Sequence, residues 1–132
     1  MSIVDLAGGV SDAVEPIVMN AGEEYQIRII SCAVKMNKND EPYILPRFEV
    51  VDEPLAKEIT KYFPLPFDGL DSKKMNSAKL GLSRFFQAFD YEPGEEFDSE
   101  DLIGLTGWAI LGVEDDEQYG ESNYIKRFIS NK

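Results

Sequence analysis

The chain has 132 residues, 43% of them apolar, and a formal net charge of −12. That length fits one domain with one core, and eight Phe and six Tyr argue for a folded chain despite the charge. There is no histidine and only one cysteine, which excludes a His-based triad, a His general base, the usual zinc sites and an internal disulfide.

Residues 1–21 read as a loosely structured leader carrying Gly8, Gly9 and Pro16. Residues 1–16 contain acids and no Lys or Arg, unlike a secretory signal, and no apolar run is long enough to span a membrane. An intracellular protein is the expectation. Gly22-Glu23-Glu24 opens a strand over residues 25–36, with Ile27, Ile29 and Ala33 on one face and Arg28, Ile30 and Cys32 on the other. Cys32 is expected to be a small buried apolar residue.

The cluster Asn37-Lys38-Asn39-Asp40 predicts a turn, followed by a strand over residues 43–51. Phe48 and Val50 point one way along it, and Tyr43, Leu45, Arg47 and Glu49 the other. Pro42 and Pro46 cannot donate to a ladder, so an edge strand or a bulge at Pro46 is expected. A third strand covers residues 58–63. Met75, Ala78, Leu82, Phe85, Phe86 and Phe89 then fall at helical spacing behind a cap at Asp71 or Ser72. Gly81 inside that helix costs about 1 kcal/mol relative to alanine, which points to a close neighbour. Asp98 is placed to cap one further turn.

The chain closes with a hairpin. Its first arm covers residues 106–114 and its second residues 123–129, with a loop at 115–122. Trp108, inside an apolar run, is expected in the core. Gly104, Gly107 and Gly112 do not fit a phosphate-binding loop and read as bends or bulges. Residues 92–121 hold eleven acids and no base, whereas residues 122–132 hold three bases and no acid. The excess charge is therefore local, and a polyanion-binding surface elsewhere remains compatible with it.

The order is three strands, a helix and two strands. This is a mostly β, α+β chain in which residues 22–132 form a single domain. It matches the element order of the OB-fold, a five-stranded Greek-key barrel with the helix between strands 3 and 4, an order that other small α+β folds share.

No site for catalysis emerges, and no cofactor is expected. The adjacent acids Glu114, Asp115, Asp116 and Glu117 do not converge from different elements and do not follow a calcium-loop pattern, so no metal site is assigned to them. What remains is binding. Aromatics are interleaved with bases at Tyr43 and Arg47, at Lys61 and Tyr62, and at Tyr124, Lys126 and Arg127, with Lys35 at the end of the first strand. Rings that stack on bases and cations that follow phosphates are the means by which single strands are held without sequence preference.

Four blocks add a resemblance: residues 21–25 with the following strand, residues 48–54 (FEVVDEP), residues 79–89 (KLGLSRFFQAF) and residues 101–128 (DLIGLTGWAILGVEDDEQYGESNYIKRF). Together they cover most of the chain after residue 20. They resemble a family of small phage and prophage proteins encoded beside replication and recombination genes. Some of these are assigned as phage single-stranded-DNA-binding proteins with an OB-fold. The resemblance implies a non-catalytic protein that coats single-stranded DNA in the cytoplasm of an infected bacterium, beside phage or host replication and recombination proteins.

One departure is notable. Bacterial single-stranded-DNA-binding proteins usually end in an acidic tip that recruits partners, whereas this chain ends Arg127-Phe128-Ile129-Ser130-Asn131-Lys132. The acids at Glu114, Asp115, Asp116 and Glu117 are the alternative candidates for recruiting partners. Two other functions fit the composition: an acidic interaction protein, such as a DNA mimic or an inhibitor of a host nucleic-acid enzyme, and a phage structural or assembly protein using strand edges.

Overall fold

A computed structural model describes residues 2–131. Six strands, one main helix and one 3-10 turn follow in chain order: β1 (Glu24–Met36), β2 (Pro42–Val50), β3 (Ile59–Thr60), β4 (Phe63–Pro64), α1 (Ser72–Ala88), the turn Ser99–Leu102, β5 (Thr106–Asp116) and β6 (Gly120–Ile129). The pairings among these six strands are antiparallel, in the order β3-β2-β1-β5-β6, with β4 also on β2. The expected third strand is thus two short pieces, and the strands number six instead of five.

Proline explains the break. In an antiparallel ladder a residue's N–H and C=O face the same neighbour. The Pro46 carbonyl accepts from Lys61 N at 3.3 Å, so the donor that Pro46 lacks is the one that would have faced the third strand. Pairing holds at Arg47↔Thr60 and Phe48↔Ile59, lapses opposite Leu45 and Pro46, and resumes at Ile44↔Phe63 and Tyr43↔Pro64. β2 itself is neither an edge nor bulged. The register shift lies on its partner β1, between Ile29 and Ser31. One extra residue there reverses the side-chain parity. Beyond it, Cys32 shares the core side with Pro46, and Ala33 joins Leu45 outside, opposite to strict alternation. Before it, Ile27 and Ile29 are fully buried, as their spacing predicts.

Five Phe rings form the centre of the core. Phe85 of α1 lies 4.7 Å from Phe63, 5.4 Å from Phe89, 5.6 Å from Phe128 and 6.0 Å from Phe48, measured between centroids. Phe63 stacks on Phe128 at 6.1 Å, and β3 lies against β6, so the two ends of the strand order curl toward each other. The helix begins at Asp71, whose carboxylate accepts from the backbone N–H groups of Lys73 and Lys74, and it buries Ala78, Leu82, Phe85 and Phe86. Asp98 caps the 3-10 turn by accepting from Glu100 N at 2.9 Å.

Gly107 admits the end of the helix. A Cβ there would lie 2.6 Å from the Ala88 carbonyl oxygen and 3.1 Å from the Phe89 ring, so this glycine marks a close approach and not a bend. Gly81 is the reverse case. Nothing lies within 4 Å of where its Cβ would be, and the expected close neighbour is absent.

Residues 2–16 carry no helix or strand, while residues 17–22 are fastened to the domain. Ile17 N donates to Leu55 O at 2.8 Å, and Lys57 N donates to Ile17 O at 3.0 Å. The buried Asn123 side chain accepts from Met19 N at 2.7 Å and donates to the carbonyls of Met19 and Gly112, each at 3.0 Å. Its amide thus satisfies both polar groups of the Met19 backbone.

Two outcomes follow, both read by urea unfolding. Gly81→Ala is expected to stabilise the domain by up to about 1 kcal/mol, and Gly107→Ala to destabilise it. Equal effects at both positions would contradict the packing described. Asn123→Ala removes three hydrogen bonds and is expected to cost about 1–3 kcal/mol; a change within about 0.5 kcal/mol would show that residues 17–22 are not held this way.

Candidate nucleic-acid interface

The outer side of the curled sheet carries what the core rejects. On β2, Ile44, Pro46, Phe48 and Val50 are buried, which turns Tyr43, Leu45, Arg47 and Glu49 outward as their alternation predicts. Lys35 of β1 is paired directly across from Tyr43, so the two share this side. At the break opposite Pro46, Lys61 keeps one bond, to the Pro46 carbonyl, and Tyr62 stands outside the ladder. The Tyr62 ring, half exposed, lies 4.6 Å from the Tyr43 ring at a tilt of 35°. Two tyrosines therefore form one aromatic patch beside Lys35, and neither ring belongs to the core cluster.

The cations of this region are partly engaged. Arg47 Nε lies 3.1 Å from a Glu58 carboxylate oxygen, with both side chains about half exposed. Arg28 pairs with Glu49 at 2.6 Å, also in an exposed setting. Exposed pairs of this kind contribute only about 0–1 kcal/mol, so an arriving phosphate can replace the carboxylate at little loss. Lys61 Nζ sits 5.6 Å from the centre of the Phe63 ring, which draws it toward the sheet.

The closing hairpin supplies a second strip. Tyr124 and Arg127 lie outside, opposite the buried Asn123 and Ile125, and Lys126 is exposed at a register shift of β6 against β5. Tyr124 is paired across from Gly112, and its ring rests on that glycine: a Cβ at Gly112 would lie 2.4 Å from Tyr124 Cζ. Gly112 is thus a seat for a ring and not a bulge. Because β3 lies against β6, this strip and the β2 patch occupy neighbouring parts of one outer surface.

Trp108 was expected in the core and is not there. The buried Gly107 and Ala109 flank it, so strand parity puts it outside with its pair partners Gln26 and Ile129, half-buried. Alternation within residues 107–111 was the signal that could have found it.

The acidic tip also differs from its expected form. The strands run on to Asp116 and Gly120, leaving a three-residue turn where a loop over residues 115–122 was expected. Glu114 and Asp115 are therefore strand residues, paired with Ser122 and Glu121. The Asp116 carboxylate accepts from the backbone N–H groups of Gln118 and Tyr119 and so shapes the turn, while Glu117 lies exposed within it. Lys57 Nζ donates to the carbonyls of Tyr119 and Glu121, tying the tip to the segment before β3. Among the described residues no three His, Cys, Asp or Glu are grouped to hold a metal ion. Among the described residues no helix is long and apolar enough to cross a membrane.

No protein-family model and no curated protein matches the chain.

Cys32 is the one thiol, and burial pushes its pKa up to about 11. The raised value keeps the thiol neutral in the fold, so stability is fully present below the pKa of the unfolded thiol and is lost as pH rises toward about 11. At about pH 8.5, where an unperturbed thiol is half ionised, iodoacetamide is expected to label the native chain at least tenfold more slowly than the urea-unfolded chain. Equal rates would show that Cys32 is not shielded.

Proposed function

We propose that this chain is a non-catalytic single-stranded-DNA-binding protein that holds the strand on the outer face of an OB-like barrel. The fold supports this reading. β1 lies between β2 and β5, β5 and β6 form the closing hairpin, β3 approaches β6, and the helix separates the meander from the hairpin. If β3 and β4 count as one interrupted strand, the helix falls between the third and fourth strands of that barrel. The resemblance of four sequence blocks to phage single-stranded-DNA-binding proteins points the same way.

The observation that carries the reading is the Tyr43–Tyr62 pair. Two large rings meet at a tilt on the outer side, outside the core cluster, with Lys35 across from one of them and Arg47 on the same side of the strand. Bases stack on such rings whatever their identity, and the cations follow the backbone. Tyr124, Lys126 and Arg127 extend the path along β6, with Lys61 at the gap between the short strands. The acids of residues 92–101 and of the hairpin tip confine the strand to the remaining surface, and the exposed Glu114, Asp115 and Glu117 offer basic replication or recombination proteins a separate contact.

Fluorescence anisotropy with a labelled oligo-dT tests this. If Lys35, Arg47, Lys126 and Arg127 each neutralise one phosphate, raising salt from about 50 to about 200 mM weakens binding roughly 50-fold. Tyr43→Ala and Tyr62→Ala are each expected to weaken it about fivefold or more. Absence of binding at low salt would overturn the reading and favour an acidic interaction protein, whose array would be the eleven acids of residues 92–121.

A further inference from the structure

Tyr62 takes part in a second feature. Beside its contact with Tyr43 it lines a surface cavity of about 190 Å³. Pro64, Phe67 and Leu70 supply apolar wall, and Lys74 and Ser77 of α1 bring an ammonium and a hydroxyl to it. Glu41 adds a carboxylate, held in place by the Asn37 side-chain amide, which donates to it at 3.2 Å.

We propose that this cavity receives one nucleobase of a bound single strand, so that the protein grips the strand at one defined nucleotide besides stacking it along the sheet. The inference rests on the single-strand reading above and deepens it. Size limits the occupant: sites for drug-sized ligands run to about 300–1,000 Å³, so a cavity of about 190 Å³ suits one planar ring system. The chemistry of the lining matches a base. Aromatic and apolar wall accepts its faces, while the Ser77 hydroxyl and the Glu41 carboxylate can accept hydrogen bonds from its N–H edge. Lys74 supplies a cation for the adjoining phosphate. Continuity supports the same occupant, because the ring shared by the Tyr43 contact and the cavity wall leads a strand from one to the other.

The test compares labelled oligo-dT with a strand of equal length built from abasic residues, which keeps every phosphate and removes every base. The variant is Ser77→Met. Ser77 is an exposed helix residue, so the longer side chain crowds the cavity without disturbing the core, and methionine is a good helix former. Ser77→Met is expected to lower affinity for oligo-dT about fivefold or more and to leave affinity for the abasic strand within about twofold. An equal change on both strands, or an unchanged affinity for oligo-dT, overturns the cavity assignment while the single-strand reading stands. Wild-type protein that fails to bind oligo-dT at low salt overturns both.

Discussion

Everything in this fold converges on the ring of Phe85. It is fully buried and touches Phe rings from β2, β4, β6 and the end of the helix. Each such pair adds about 0.5–1.5 kcal/mol to the burial of the ring itself. Losing a buried Phe costs about 3–5 kcal/mol, a large share of the roughly 5–15 kcal/mol that holds a domain together. The contact does more than stabilise. β4 and β6 share no ladder, so the packing of Phe63, Phe85 and Phe128 joins the β3–β6 contact in holding the last strand against the short ones. The curl of the sheet, and with it the neighbourhood of the two surface strips, depends on that packing.

A second constraint works in the opposite direction, by withholding an interaction. Pro46 removes one donor from the face of β2 that meets the third strand, and the ladder lapses for two residues. Tyr62 falls in that gap. Its ring meets that of Tyr43 at a tilt and also lines the neighbouring cavity. The lapse at this buried proline lies beside the most distinctive feature of the outer surface, the Tyr43–Tyr62 pair. The charge pattern complements it: the acids are concentrated between residues 92 and 121, and the Tyr43–Tyr62 patch is flanked by Lys35 and Arg47.

Much of this was legible in the sequence because period-2 and period-3.6 patterns survive wherever an element has one buried face. The parity of β2, the buried stripe of α1 and the caps at Asp71 and Asp98 all follow from that. The candidate residues Lys35, Tyr43, Arg47, Tyr62, Tyr124 and Arg127 do reach the outer surface. What was hidden is what depends on the partner strand. The bulge at Ile30 that turns Cys32 inward leaves no mark in β1 alone. Gly107 and Gly112 read as bends because the Ala88 carbonyl and the Tyr124 ring that require them are far away in sequence. The buried Asn123 looked like any hairpin residue, since the Met19 backbone it satisfies lies 104 residues away. The cavity beside Tyr62 gathers residues from three separate segments and has no linear signature at all.

On the proposed function, a single strand runs over the outer surface that carries Tyr43 and Tyr62. Backbone amide shifts of the labelled protein, followed by NMR during titration with oligo-dT, report whether it does. The expected result is a continuous set of shifted amides at Lys35, Tyr43, Arg47, Tyr62 and residues 124–127, with residues 92–101 unmoved. Saturating oligo-dT that moves no amide, or moves only those of the acidic segment, would contradict it.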